Sequence, residues 1–149
     1  MKDHFLRLSH YNSWANRRVF ESLSSQNGPK EPSALLSHIC MAESVWLSRL
    51  EGTIPLQSIF GLLPFEDINQ YVEKNEEGWD RLIHAYEDFG LAIFYKQLNG
   101  TDSKSLLSDI LTHIFNHGTY HRAQIAILMR QNGLVPAVTD FIAFSRLSF

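Results

Sequence analysis

Seven residues between Leu107 and Leu128 lie on one side of a helix. At ~100° per residue, Leu107, Ile110, Ile114, His117, His121, Ile125 and Leu128 all fall within about 40° of His121. A stripe this long requires a long helix with one face in a core. The other five members are aliphatic, so His117 and His121 are expected to point inward too. Buried polar groups need partners. Side chains four apart on a helix have Cβ atoms roughly 5–6 Å apart, so two imidazoles can share one metal ion. Two core histidines hydrogen-bonded to neighbouring helices fit the same spacing.

Three further amphipathic segments precede this one. The first runs from about Asp3 to Ser25, with Phe5, Leu8, Ala15, Val19 and Leu23 in a stripe broken by Asn12, and Asn16 beside it. Asn27-Gly28-Pro29 stops it. The second runs from Pro32 to Leu50, with Leu35, Ile39, Ala42, Trp46 and Leu50 inward and His38 at the edge of that face. A loop containing Thr53, Pro55, Gly61 and Pro64 follows. The third runs from Phe65 to Asp88 and buries Ile68, Val72, Trp79, Leu82, Ile83 and Tyr86, while its middle, Glu73 to Glu77, reads as a solvated face.

Leu91 to Tyr95 followed by Asn99-Gly100 predicts a short hairpin or extended crossover. The fourth helix is expected to start near Ser103, or with Thr101-Asp102 as its cap, and to end at Gln131 before Asn132-Gly133. The apolar tail, Leu134 to Phe149, should pack on the bundle or on a second subunit. The expected fold is all-α: a single four-helix-bundle domain over residues 1–149, with a short crossover or hairpin before the last long helix. Bundles of this kind build metal sites from inward side chains on facing helices.

The net charge is −3, and no basic patch of the kind that binds nucleic acid is present; Arg17 and Arg18 read as a solvated pair. No run approaches the ~18–20 apolar residues of a membrane span. Met1-Lys2-Asp3-His4-Phe5 does not resemble a signal peptide. The single cysteine, Cys40, excludes an intrachain disulfide and reads as a small buried hydrophobe, which fits a reducing compartment. The partner expected is a small molecule in the cytoplasm, with no nucleic acid and no membrane.

A catalytic metal usually takes three protein ligands and leaves one position open. His4, His10, His38, His84 and His113 remain as candidates for the third. His113, His117 and His121 in a row would span some 12 Å by helical rise, too far for one ion. His84 adjoins the buried residues of the third helix, and His38 sits at the edge of an apolar face.

Three segments resemble the DinB/YfiT-like family. They are Tyr11-Asn12-Ser13-Trp14-Ala15-Asn16, the run from Leu35 to Leu47 that contains His38, and Asn116-His117-Gly118-Thr119-Tyr120-His121-Arg122-Ala123-Gln124-Ile125. The similarity extends over the whole chain, through Gly133-Leu134-Val135-Pro136 and Thr139-Asp140-Phe141-Ile142. At Ala123 the chain departs from the family's usual glycine, which bears on helix contacts, dimer packing or pocket shape. The resemblance implies a bundle, often dimeric, that holds a divalent metal through His38, His117 and His121.

Relatives include metal-dependent transferases and isomerases that use low-molecular-weight thiols. Zinc or nickel is the expected ion, with such a thiol as cosubstrate. Thiol transfer is favoured over hydrolysis because no convincing general base is in view. Glu43 lies about 140° from His38 on its helix, and Asp140 would have to reach in from the tail. Asn12 and Tyr120 are the candidate substrate contacts. The alternatives are a metal-dependent hydrolase and a non-enzymatic, metal-binding stress-response protein that acts through its dimer surface.

Overall fold

The computed structural model describes residues 1–53, 61–97 and 99–148; Pro55 of the expected loop and Phe149 of the tail lie outside them. Its long helices are α1 (Lys2–Ser25), α2 (Lys30–Leu50), α3 (Ile68–Ala85) and α4 (Leu107–Gln131). The hairpin strands β1 (Ala92–Lys96) and β2 (Asp102–Leu106) and a short α5 (Phe141–Ser145) complete the regular structure. The architecture is all-α, with the two-stranded hairpin the only sheet among the described residues. No described helix is long and apolar enough to cross a membrane.

Two apolar clusters make up the core. One contains Phe5, Leu47, Trp79, Ile83, Ile110, Leu111 and Phe115. The other contains Val19, Leu23, Leu36, Ile39, Val72, Ile125 and Met129. Each helix crosses from one to the other through buried polar residues: Asn12 and Asn16 on α1, Glu43 on α2, Asn75 on α3 and Arg122 on α4. The order of crossing gives the helix directions. α1 and α4 run one way, and α2 and α3 the other. Leu50 and Ile68 therefore lie toward opposite ends of the bundle. α1 and α2 each pack chiefly against α3 and α4, so the order around the bundle is α1–α3–α2–α4.

Local chemistry sets the boundaries. α1 ends as Asn27 takes a left-handed conformation at φ 48° and the Gly28 amide bonds the Leu23 carbonyl, an αL termination in which asparagine stands in for the usual glycine. After α4 ends at Gln131, Gly133 turns the chain at φ 73°, with the Leu134 amide returning to the Met129 carbonyl. The expected start of α4 near Ser103 is corrected: residues 102–106 pair antiparallel with β1, Ala92 opposite Leu106 and Lys96 opposite Asp102. Ser103 and Ser105 face in while Asp102, Lys104 and Leu106 face out, the period of a strand. α3 is shorter than expected, beginning at Ile68 after a 3₁₀ turn over Phe65–Asp67 and ending at Ala85.

Two surface readings also change. Asn75 is not solvated: it donates to the Cys40 carbonyl and accepts from the Ser44 hydroxyl inside the bundle. Arg17 is held by both terminal nitrogens on Glu76, each 2.7 Å from the carboxylate oxygen. Cys40 is fully buried, as its small apolar character requires.

The tail packs on the bundle, along α1. Tyr11 donates to the Thr139 carbonyl at 2.8 Å, and Gln26 makes a reciprocal pair with the Val135 backbone. Phe141 of α5 then meets Tyr11 edge-on, and Phe144 packs at a tilt on Trp14.

Candidate metal centre

Antiparallel α2 and α4 bring His38 against the pair on α4. The ring centroids of His38 lie 5.1 Å from His117 and 4.8 Å from His121, and those of His117 and His121 are 4.4 Å apart. One nitrogen from each ring lies within 4.8 Å of the other two. The Nε2 atoms of His117 and His121 are 3.1 Å apart. That matches the ~3.3 Å edge expected between two nitrogens of a tetrahedral zinc-like site.

The donor chemistry suits a cation. Burial, followed by the neighbouring rings of His121, His38 and His113, lowers the His117 pKa to about 4, so this imidazole is neutral and able to ligate at ordinary pH. Burial also lowers the pKa of His121, against a raising contribution from Gln124. The His121 Nδ1 lies 2.7 Å from the side-chain oxygen of Gln124, one turn on. With that oxygen as acceptor, Nδ1 carries the ring proton and Nε2 presents its lone pair toward His117, the outer bond that orients most metal-bound histidines. His117 Nδ1 is buried with no hydrogen-bond partner among the described residues. These residues fit a divalent ion.

The profile of the DinB family matches residues 1–148. This chain belongs to the DinB family. It is 30% identical to Protein DinB of Bacillus subtilis (strain 168), over 95% of this chain and 93% of that protein. No solved structure matches it significantly.

Beside the three histidines lies a polar network that sequence reasoning missed. Glu43, fully enclosed, accepts from Asn12 and Asn16 on one oxygen, at 2.8 and 3.0 Å, and from the Trp79 indole on the other, at 3.1 Å. The carbonyl ends of the same two asparagines accept from Arg122 Nη1 at 2.7 and 2.8 Å. Two amides thus bridge a carboxylate and a guanidinium, drawing all four helices together. Burial pushes the Glu43 carboxyl up, and the bonds from Asn12 and Trp79, the Arg122 charge and the bond from Asn16 draw it back.

The bridge also needs Gly118. A Cβ there would sit 2.5 Å from Asn12 Oδ1 and 2.8 Å from Arg122 Nη1. One turn of α4 therefore alternates its duties. His117 and His121 face α2, while Gly118 and Arg122 face the network.

Asn12, a candidate substrate contact, is fully buried with both ends of its amide engaged in this bridge. Tyr120 is exposed, its ring edge-on to His121 at 5.2 Å. His113 is exposed one turn from His117, at 5.8 Å between rings. His10 pairs with Asp80, and His84 bonds the Asp80 carbonyl; both point away from the cluster. Gln124 could have been found from the sequence, as an amide three residues after a candidate ligand. The Glu43 network could not, because its members are scattered over four helices.

Proposed function

We propose that this protein is a divalent-metal enzyme in which His38, His117 and His121 hold zinc or nickel and activate a low-molecular-weight thiol for transfer to a small electrophile. The observation that carries this reading is the convergence of three imidazoles with no carboxylate among them in the described residues. A divalent ion held there would supply the Lewis acidity that keeps a thiol deprotonated near neutral pH.

The chain's own residues do the rest. His121, fixed by Gln124, presents Nε2, and His117 stays neutral because it is half-buried. The sulfur attacks an electrophilic carbon and a C–S bond forms. The bond to the leaving group breaks with its electron pair, and the proton released by the thiol balances the charge on that group. Tyr120, exposed with its ring beside His121, is the side chain proposed to touch the acceptor.

Hydrolysis would need a base, and the two carboxylates considered for it are engaged or distant. Glu43 receives three N–H bonds inside the core, and Asp140 precedes α5, which packs on α1 rather than on α2. The free, buried Cys40 and the thiol chemistry both fit a reducing, cytoplasmic setting. Val135, Val138, Ile142 and Leu147 of the tail are exposed, which supports a homodimer through that side. Light scattering that returns the monomer mass of 17.1 kDa would count against the dimer.

The test of the activity is spectroscopic and kinetic. Cobalt- or nickel-substituted protein should develop a thiolate charge-transfer band on adding a small thiol, and thiol conjugation of an electrophile should vanish in His38→Ala, His117→Ala and His121→Ala. If thiols leave the spectrum unchanged while the metal protein cleaves esters or amides, the hydrolase reading takes its place. A metal protein that neither binds thiols nor turns over any substrate would point to the binding-protein reading.

A further inference from the structure

The face shared by α2 and α4 continues beyond the three histidines. At ~100° per residue, Arg49 lies about 20° from His38 around α2 and three turns along it, an axial rise of roughly 16 Å. On α4, His113 extends the line from His117, and its ring is 6.0 Å from that of Trp46. Trp46 meets Tyr95 of β1 edge-on at 5.0 Å, so the hairpin closes this end of the face.

The Arg49 guanidinium lies over both rings, 4.7 Å from the centre of Trp46 and 5.6 Å from that of Tyr95. Among the described residues it makes no side-chain hydrogen bond and no ion pair. Arg17 and Arg81, by contrast, are each held by a carboxylate. Arg49 is half-buried, and burial lowers its pKa. A partly desolvated cation without a counter-charge gains most from an anion that arrives with a ligand. Its planar fork matches a carboxylate, and a single guanidinium balances one monoanion.

We propose that Arg49, backed by Trp46 and Tyr95, is an anion subsite, and that the molecule reaching the three histidines carries a carboxylate at the far end of an extended chain. This rests on the thiol reading for the identity of the near end only. The substrate class that follows is an acidic thiol long enough to lie along this face, its sulfur at the histidines and its carboxylate on Arg49.

Calorimetric titration of the zinc-loaded protein separates the two ends. The probes are 8-mercaptooctanoate, its thioether analogue 8-(methylthio)octanoate, and the methyl ester of each. Each acid should bind about tenfold or more tighter than its ester, as a charge-assisted hydrogen bond predicts. Arg49→Gln should abolish that preference with zinc content unchanged, and Arg49→Lys, which keeps the charge but loses the fork, should retain part of it. Should Arg49→Gln lower the melting temperature, the Arg49→Lys comparison decides. If the thioether acid keeps its Arg49-dependent preference while neither thiol alters a cobalt spectrum, the thiol reading fails and the anion subsite stands. Equal binding of acid and ester, no binding of either acid, or a preference that survives Arg49→Gln overturns the proposal.

Discussion

The His121 Nδ1 sits 2.7 Å from the Gln124 side-chain oxygen, and this bond determines which nitrogen of His121 faces His117. Both residues are on α4, so the orientation is built into one helical turn and does not depend on another element. Gln124→Ala should free the ring to change tautomer and weaken zinc affinity by about 10–100-fold, the usual cost of losing such a partner. Gln124→Glu, which keeps an acceptor, should restore most of it. A competition titration against a chromophoric chelator measures both; equal affinities for Gln124→Ala and the parent would remove Gln124 from the centre.

Removing a ligand should act differently from removing a bystander. His38→Ala, His117→Ala and His121→Ala should each reduce bound metal to well below one equivalent. His113→Ala should retain it, because His113 is exposed and lies outside the converging set. Elemental analysis after reconstitution distinguishes the four variants, and a metal-free His113→Ala with a metal-replete His38→Ala would reverse the assignment.

The metal-free protein should lose stability in acid through His117. Its folded pKa, about 4, lies below the ordinary value of 6.5. As the pH falls below 6.5 the unfolded chain takes up a proton that the folded site resists, so unfolding is favoured. The loss should accumulate between about pH 6.5 and 4 and then level off. Melting temperatures across that range should show a shallower slope for His117→Gln than for the parent.

Gly118→Ala tests the close approach behind the metal face. The added methyl would meet Asn12 Oδ1 and Arg122 Nη1, both committed to the amide bridge. Overpacking of this kind costs about 1–3 kcal/mol, and disturbing the bridge adds to it, so the urea midpoint should fall clearly. An unchanged midpoint would mean that the bridge can shift at no cost.

The sequence by itself determined the helices, the inward stripe of α4, the hairpin and the histidine pair, because these depend on local periodicity and on spacing within one segment. His117 and His121 are neighbours in any helix that contains them. Choosing the third ligand depended on family resemblance, since His4, His10, His38 and His84 were all open by spacing alone. Boundaries failed where a longer-range partner overrode local preference, as when β1 claimed residues 102–106 for a strand.

Only the tertiary structure could bring His38 to within 5.1 Å of His117, because that distance depends on the antiparallel packing of α2 on α4. It also decided the fate of Asn12, Asn16, Glu43, Trp79 and Arg122. Read singly, Trp79 is an ordinary core residue, and each of the others is an interruption in an apolar stripe or a polar residue on a helix. Together they form one hydrogen-bonded network at a single level of the bundle, in which Arg122 Nε alone is left without a partner among the described residues. A buried polar group is tolerated only when its partner arrives from elsewhere in the chain, and helical periodicity carries no record of which residue that will be.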